Sequence, residues 1–314
     1  MTQRIKGNFG KDISTMLKGL LAVGIVLHHL AEKTNVIFII DFFKYLGSPI
    51  VSIFFFISGY GLLNSLLIKK SNYLNTFLKK RFTTLLTPFL LAIFTFQICA
   101  YIDNQSININ LIFKNLITGN TDSLLPFSWY IFTIIFFYSI FYIVFKTKQG
   151  ALLYGIFIIL FLSITYVIVL KYFNYGDWWY LSTFGFITGF FIKYFENLID
   201  KKMLNFKYIL LIVVIILLLI PILGVYSYLS MCLYPIATFL FLKQFYFPRN
   251  KSLLFLGKIS YEIYLIQGLS IFFLRGNHIF ITNDYLYIIL TIIITIPLAI
   301  ILNWFSKIII KKLV

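Results

Sequence analysis

Charge is scarce in this chain: Asp, Glu, Lys and Arg together make 12% of its 314 residues, and only 10 are acidic against 27 basic. A water-soluble domain of that length would lack the polar residues to cover its surface, so a soluble fold is excluded. Cysteine is nearly absent. Cys99 and Cys232 sit far apart inside apolar stretches, which excludes a disulfide framework and a cysteine metal centre. Also missing are a Walker phosphate loop, a dinucleotide fingerprint, a zinc-protease helix, a soluble hydrolase elbow and an internal repeat. Any chemistry must therefore take place in or at a membrane.

What is present in quantity is apolar surface: 61% hydrophobic residues, 20% aromatic, and a mean hydropathy of +0.93. Runs of about twenty apolar residues, bounded by charge, Asn, Pro or Gly, fall at 12–31, 46–68, 82–101, 126–146, 151–170, 178–195, 207–223, 226–246, 252–274 and 285–306. The seventh and eighth are separated only by a turn that Pro221, Gly224 and Tyr226 must supply. The expected fold is all-α: one polytopic bundle of about ten transmembrane helices spanning residues 1–314, with no appended soluble domain. The first run is expected to be a retained helix rather than a cleaved leader, because Lys18 interrupts it and no small-residue cleavage site follows.

The net charge of +17 follows this pattern rather than forming a nucleic-acid-binding stripe. With a cytoplasmic amino terminus, twenty basic residues fall in inside segments, from Arg4, Lys6 and Lys11 through Lys69–Arg81, Lys146 and Lys148 to Lys307, Lys311 and Lys312; five fall outside. That asymmetry predicts ten crossings with both termini cytoplasmic. The segment Lys69 to Arg81 is the most basic and lies where a phosphorylated cytosolic donor would approach. The long outside segment 102–125 mixes Ile107, Ile109, Leu111, Ile112, Phe113, Leu116 and Ile117 with Asn and Lys114, a pattern for a short amphipathic helix at the interface or a plain surface loop.

Two ionisable groups interrupt the first apolar run. Lys18 and His29 are eleven residues apart, three helical turns plus about 20°, so they share one face roughly 16 Å apart along the axis. Ionisable groups in a membrane helix generally face a bundle interior or a water-filled path and mark substrate or proton routes. His28 lies about 100° round from His29. Glu32 is three residues from one histidine and four from the other, within reach of either imidazole.

The second run reads Ser52, Ile53, Phe54, Phe55, Phe56, Ile57, Ser58, Gly59, Tyr60; Lys79, Lys80, Arg81 and Pro88 follow; Trp129 and Tyr130 open the fourth run; and Leu256, Gly257, Lys258, Ile259, Ser260, Tyr261, Glu262, Ile263, Tyr264, Leu265 lie in the ninth. In this order, and with the Lys18 to His29 spacing, the chain resembles acyltransferase family 3, integral membrane enzymes that modify surface glycans. Lys18 stands where the family more often has arginine, Thr84 where a second basic residue is expected, and Gln267 where a histidine often closes the last motif.

The resemblance implies transfer of an acyl group, most commonly acetyl, from cytosolic acyl-coenzyme A to a hydroxyl of a bacterial surface polysaccharide or other cell-envelope glycan, at the plasma membrane. It selects His29 over His28 as base or acyl carrier, with Lys18 and Glu32 beside it. It assigns donor or substrate binding to Arg81, Ser58, Gly59, Trp129, Ser260, Tyr261 and Glu262, and it requires no metal. Imidazole can take a proton or carry an acyl group near neutral pH. The same residues also have plainer readings: Arg81 as a cytosolic flank, Ser58 and Gly59 as a close helix contact, Glu32 as an interfacial carboxylate. Two other functions fit the composition, a flippase or exporter of lipid-linked sugars using Lys18 and Glu262, and a noncatalytic scaffold for glycan-synthesis proteins.

Overall fold

A computed structural model describes residues 4–5, 9–36, 39–105, 108–118, 124–147, 151–202, 207–223, 227–245 and 247–314. They form an almost entirely helical chain. In order come α1 (Lys11–Ala31), α2 (Ile39–Lys44), α3 (Gly47–Lys69), α4 (Ser71–Asn75), α5 (Phe77–Ile102), α6 (Ile109–Thr118), α7 (Trp129–Thr147) and α8 (Leu152–Tyr172). After a single 3-10 turn at Asp177–Trp179 follow α9 (Phe184–Lys202), α10 (Lys207–Ile222), α11 (Tyr228–Gln244), α12 (Lys251–Lys258), α13 (Ser260–Phe273) and α14 (Asp284–Leu313). A two-residue antiparallel ladder, β1 (Arg4–Ile5) with β2 (Phe247–Pro248), pairs Arg4 with Pro248.

Helices α1, α3, α5, α7, α8 and α14 are long and apolar enough to cross a membrane, since a helix of about twenty residues spans the hydrocarbon layer. The chain is thus a multi-spanning membrane protein. The other expected crossings are altered in detail. The sixth begins later, after the 3-10 turn, and runs on through Lys193, Glu196, Asp200 and Lys201. The seventh and eighth are shorter helices, α10 and α11. Pro221 lies inside α10, whereas Gly224 and Tyr226 of the expected turn lie outside the described residues, as do Lys6, Lys148 and Ile107. Ser227 starts α11 as a capping residue, its Oγ accepting from the Ser230 N–H at 3.1 Å.

The ninth expected span is broken in two at Ile259. Its amide bonds back only three residues, to the Leu256 carbonyl, and the Ser260 hydroxyl donates to the Gly257 carbonyl at 3.0 Å. Gly257 lets α12 lie backbone to backbone on α1: a Cβ there would run into the carbonyl of Thr15, and one on Gly19 would meet the carbonyl of Leu253. The segment 102–125 does contain a short helix, α6, with Ile112 and Leu116 turned towards the bundle and Ile109, Leu111 and Phe113 exposed.

Among the described residues lie two large apolar cores and a small third cluster around Val167, Leu170 and Tyr180. One large core gathers α3, α7, α9 and α11 around Phe55, Phe137, Phe186 and Phe190; the other gathers α5, α13 and α14 around Phe89, Ile263 and Tyr287. Helix α1 supplies residues to both, Ile13 and Ile25 to the first and Val26 and Leu30 to the second, and so lies along their seam. On the first side, α9 and α11 are locked by charge. The buried Lys243 Nζ donates to Glu196 at 2.8 Å and to Asp200 at 2.6 Å, while Glu196 also accepts from Lys193 at 2.7 Å and from the Tyr60 hydroxyl of α3 at 2.9 Å. A buried ion cluster of this kind holds only if each charge is compensated.

Candidate active site

Three cavities follow one another along the seam. The first, about 440 Å3, is lined by Lys11, Ser14, Lys18, Ser58, Tyr60, Arg81 and Tyr138 among others. The second, about 220 Å3, shares Lys18, Ser58, Arg81 and Tyr138 with it and adds Thr84, Tyr130, Ser260 and Tyr261. The third, about 320 Å3, shares Ile25, Val51 and Tyr264 with the second and contains His28, His29, Glu32, Ser48, Phe127, Trp129, Trp178 and Ser182. Shared walls make the three adjoin.

The helical register of α1 creates this arrangement, presenting Lys18 to the first two cavities and His29 to the third. Among the described residues, neither of the first two cavities has a carboxylate in its wall. Arg81 Nη2 donates to the Tyr73 hydroxyl at 3.0 Å and its guanidinium lies 5.9 Å from the Tyr138 ring centre. Two cations facing low-dielectric space with no acid between them make a site for an anion.

In the third cavity His29 is buried, 7% exposed, and fixed on two sides. Its Nδ1 lies 3.3 Å from Glu32 Oε2. A carboxylate can only accept, so Nδ1 carries the proton and neutral imidazole keeps its lone pair on Nε2. The ring stacks on Phe127, centroids 3.7 Å apart and 14° between planes. Phe127 itself has a left-handed backbone, φ 67°, a conformation that costs a bulky residue free energy and is kept where surroundings enforce it. Its carbonyl accepts from the Tyr264 hydroxyl. The strained turn before α7, the ring of His29 and α13 are thereby coupled.

Glu32 caps α1 and serves both histidines. His28 Nε2 is 3.7 Å from Glu32 Oε1, and His28 Nδ1 donates to the Phe43 carbonyl at 3.1 Å. Burial works against a charge on Glu32, yet the hydrogen bond from His29, with His28 and Lys33 nearby, holds its carboxyl below the usual range. The ligand atoms of His28, His29 and Glu32 lie within 4.8 Å of one another, a donor set able to hold a divalent cation. In the arrangement seen, His29 Nδ1 is engaged by Glu32 instead. Beyond Glu32, Arg275 pins the chain: Nη1 donates to the Lys33 carbonyl at 2.7 Å, Nη2 pairs with Asp284, and the Asn35 amide donates to Asp284 at 2.9 Å.

Of the residues singled out in the sequence, Lys18, Arg81, Ser58, Ser260 and Tyr261 meet in the second cavity, and His29, Glu32 and Trp129 meet in the third. Gly59 and Glu262 are placed elsewhere. A Cβ on Gly59 would collide with the Phe186 carbonyl of α9, so that position is a close helix contact. Glu262 accepts from Asn303 of α14 at 2.7 Å, away from all three cavities. Thr84 lines the second cavity with its hydroxyl turned back to the Lys80 carbonyl at 2.8 Å, and Gln267 is fully buried in α13. Sequence reasoning passed over Phe127, Tyr264, Ile25, Val51 and His28 as part of the site. Tyr264 stood within the closing motif and Tyr130 beside Trp129, but nothing local marked Phe127.

The chain is thus a multi-spanning helical membrane protein with an imidazole and a carboxylate in one cavity and two cations, Lys18 and Arg81, in the cavities next to it. The acyltransferase domain of acyltransferase family 3 matches residues 14–304, and the chain belongs to this family of integral membrane acyltransferases. No curated protein and no solved structure matches the chain.

Proposed function

We propose that the chain is a membrane O-acyltransferase that moves an acyl group, most simply acetyl, from cytosolic acyl-coenzyme A to a hydroxyl of a bacterial surface polysaccharide or other envelope glycan. One observation carries this reading: His29, held through Nδ1 by Glu32, opens on a cavity that adjoins another lined by Lys18 and Arg81, whose wall holds no acid among the described residues. The donor's phosphates suit those two cations. In this reading the chain is a single domain in the bacterial plasma membrane, with ten crossings and both termini cytoplasmic; each of the ten apolar runs overlaps a helix or the α12–α13 pair, and six of these helices are long and apolar enough to cross.

His29 Nε2 takes the proton of the acceptor hydroxyl as that oxygen bonds to the thioester carbonyl carbon. The carbon–sulfur bond breaks, and the imidazolium returns the proton to the departing thiolate. Glu32 keeps Nδ1 protonated throughout and steadies the imidazolium, while Phe127 fixes the ring plane. The same tautomer leaves Nε2 able to take the acyl group itself.

The test compares cells expressing the wild type, His29→Ala or no copy, at equal protein level. Proton NMR of surface glycan reads the O-acyl methyl signal, and purified protein is assayed with labelled acetyl-coenzyme A. Acylation confined to the wild type supports the assignment. Acylation that persists with His29→Ala overturns it.

A further inference from the structure

We infer that His28, His29 and Glu32 bind a divalent first-row transition metal, zinc the simplest, and that the bound metal silences His29; the silencing rests on the acyltransferase reading above. The ligand atoms of the three residues lie within 4.8 Å of one another. Two imidazoles and one carboxylate suit zinc and its neighbours better than magnesium or calcium, which prefer all-oxygen shells.

His28 is already set as a ligand. Its Nδ1 donates to the Phe43 carbonyl at 3.1 Å, so a neutral ring keeps its lone pair on Nε2, and Nε2 faces Glu32 Oε1 at 3.7 Å. Two acceptors thus oppose each other, and a cation between them turns that repulsion into attraction. Metal-bound histidines commonly donate their other N–H to a carbonyl, as this one does. The start of α3 makes room for the ring: a Cβ on Gly47 would run into the His28 imidazole. His29 is held by its stacking on Phe127, while Glu32 is partly exposed and is the donor free to adjust. Tetrahedral zinc with bonds of about 2.0–2.1 Å sets its donors roughly 3.3 Å apart. The His29 to Glu32 separation is already 3.3 Å, and the 3.7 Å from His28 closes with a small rotation.

The metal and the base chemistry compete for one ring. A metal bonded to His29 Nδ1 takes the lone pair of that nitrogen, so the single proton of the neutral imidazole moves to Nε2. Glu32 exchanges its contact with the Nδ1 proton for one with the metal. Nε2, now protonated, cannot accept the proton of an acceptor hydroxyl. The cavity of about 320 Å3 that these residues line gives the ion its way in and room for water in a fourth position. Zinc is therefore an inhibitor of this site rather than a participant in transfer.

Full-length protein in detergent, freed of any polyhistidine tag, is titrated with Co2+ and then Zn2+. The visible spectrum of bound Co2+ reads the site, and X-ray absorption of the zinc-loaded wild type counts its imidazole ligands without need of a variant. The chain has three histidines in all, which keeps the background small. Transfer of labelled acetyl is followed at the same metal concentrations. The expected result is one metal per chain held by two imidazoles, with transfer falling about 100-fold at saturating Zn2+, the scale of a lost general base. EDTA restores it, and Mg2+ and Ca2+ have no effect. His28→Ala, and Gly47→Ala, which keeps every donor but displaces the ring, weaken Co2+ binding by about 10-fold or more and raise the half-inhibiting Zn2+ concentration by the same factor. Wild type that takes up neither metal, zinc without imidazole ligands, or variants that bind as the wild type does overturn the site. Zinc held by both imidazoles with transfer unchanged or raised overturns the silencing. Metal-free wild type that transfers no acyl group removes the acyltransferase reading and the silencing together, while the metal spectra still decide the site.

Discussion

Replacing Glu32 with Gln leaves an oxygen able to accept from His29 Nδ1 but removes the charge and lets the amide turn its NH2 group inward. A hydrogen bond to a charged partner contributes about 1.5–3 kcal/mol. The 3.3 Å separation and the partly exposed carboxylate put this one near the lower end. A loss of about 1.5 kcal/mol in transition-state stabilisation slows the chemical step by roughly 10-fold. On the proposed function the effect belongs in kcat, because Glu32 acts through His29 and lines a different cavity from Lys18 and Arg81, the cations assigned to the donor. Single-turnover transfer of labelled acetyl in proteoliposomes measures it directly. The pH dependence has a definite sign. Since the folded carboxyl lies below its ordinary range, the stability contributed by the contact is fully present above that range and is lost as pH falls through the lowered value. The Gln variant lacks this acid-side loss. If Glu32→Gln turns over at the wild-type rate while His29→Ala is inactive, the orienting role of Glu32 is refuted.

Other outcomes follow from the surrounding geometry. Lys18→Ala and Arg81→Ala each raise the donor KM by about 10-fold or more, the scale of a lost charge-assisted contact, with kcat changed less; a KM unmoved in both removes the anion site. Lys243→Met leaves Glu196 and Asp200 short of a cation and costs about 3 kcal/mol or more, seen as earlier thermal inactivation in detergent. Arg275→Ala releases the Lys33 carbonyl and lowers kcat roughly 10-fold at an unchanged KM, and Arg275→Lys fails to restore it, because lysine cannot reproduce contacts made by three guanidinium nitrogens at once. Steady-state kinetics with both variants tests that last pair.

The long helices were legible because a run of about twenty apolar residues has one stable form in hydrocarbon. The break at Ile259 was not, since Leu256 to Leu265 reads as continuous apolar helix apart from a few polar side chains, and the cause lies on α1, where Gly19 meets Gly257. The end of α9 was misplaced for a related reason: Lys193 and Glu196 look like a cytosolic stop until Lys243, far along the chain, is seen to pair with Glu196. Within the site, helical spacing alone put Lys18 and His29 on one face of α1 and Glu32 within reach of His29; that Lys18 and His29 line different cavities was not legible. Gly59 and Glu262 were motif neighbours whose side of the helix could not be read, because a helix in lipid is apolar outside as well as inside and carries no clear stripe. Phe127 and Tyr264 join His29 only through contacts between distant segments.

The ion cluster around Lys243 also bears on how the chain is put together in the cell. Its acids lie on α9 and its tyrosine on α3, both of which leave the ribosome before α11. Lys243 therefore arrives last, and its ammonium can leave the wet surface only where acceptors are already in position. A slip of α9 by one residue would turn Glu196 by about 100° and strand that charge. The cluster works as a checkpoint on helix registration: a chain that has mispaired these three helices keeps an uncompensated lysine, and the completed bundle is the arrangement that discharges it.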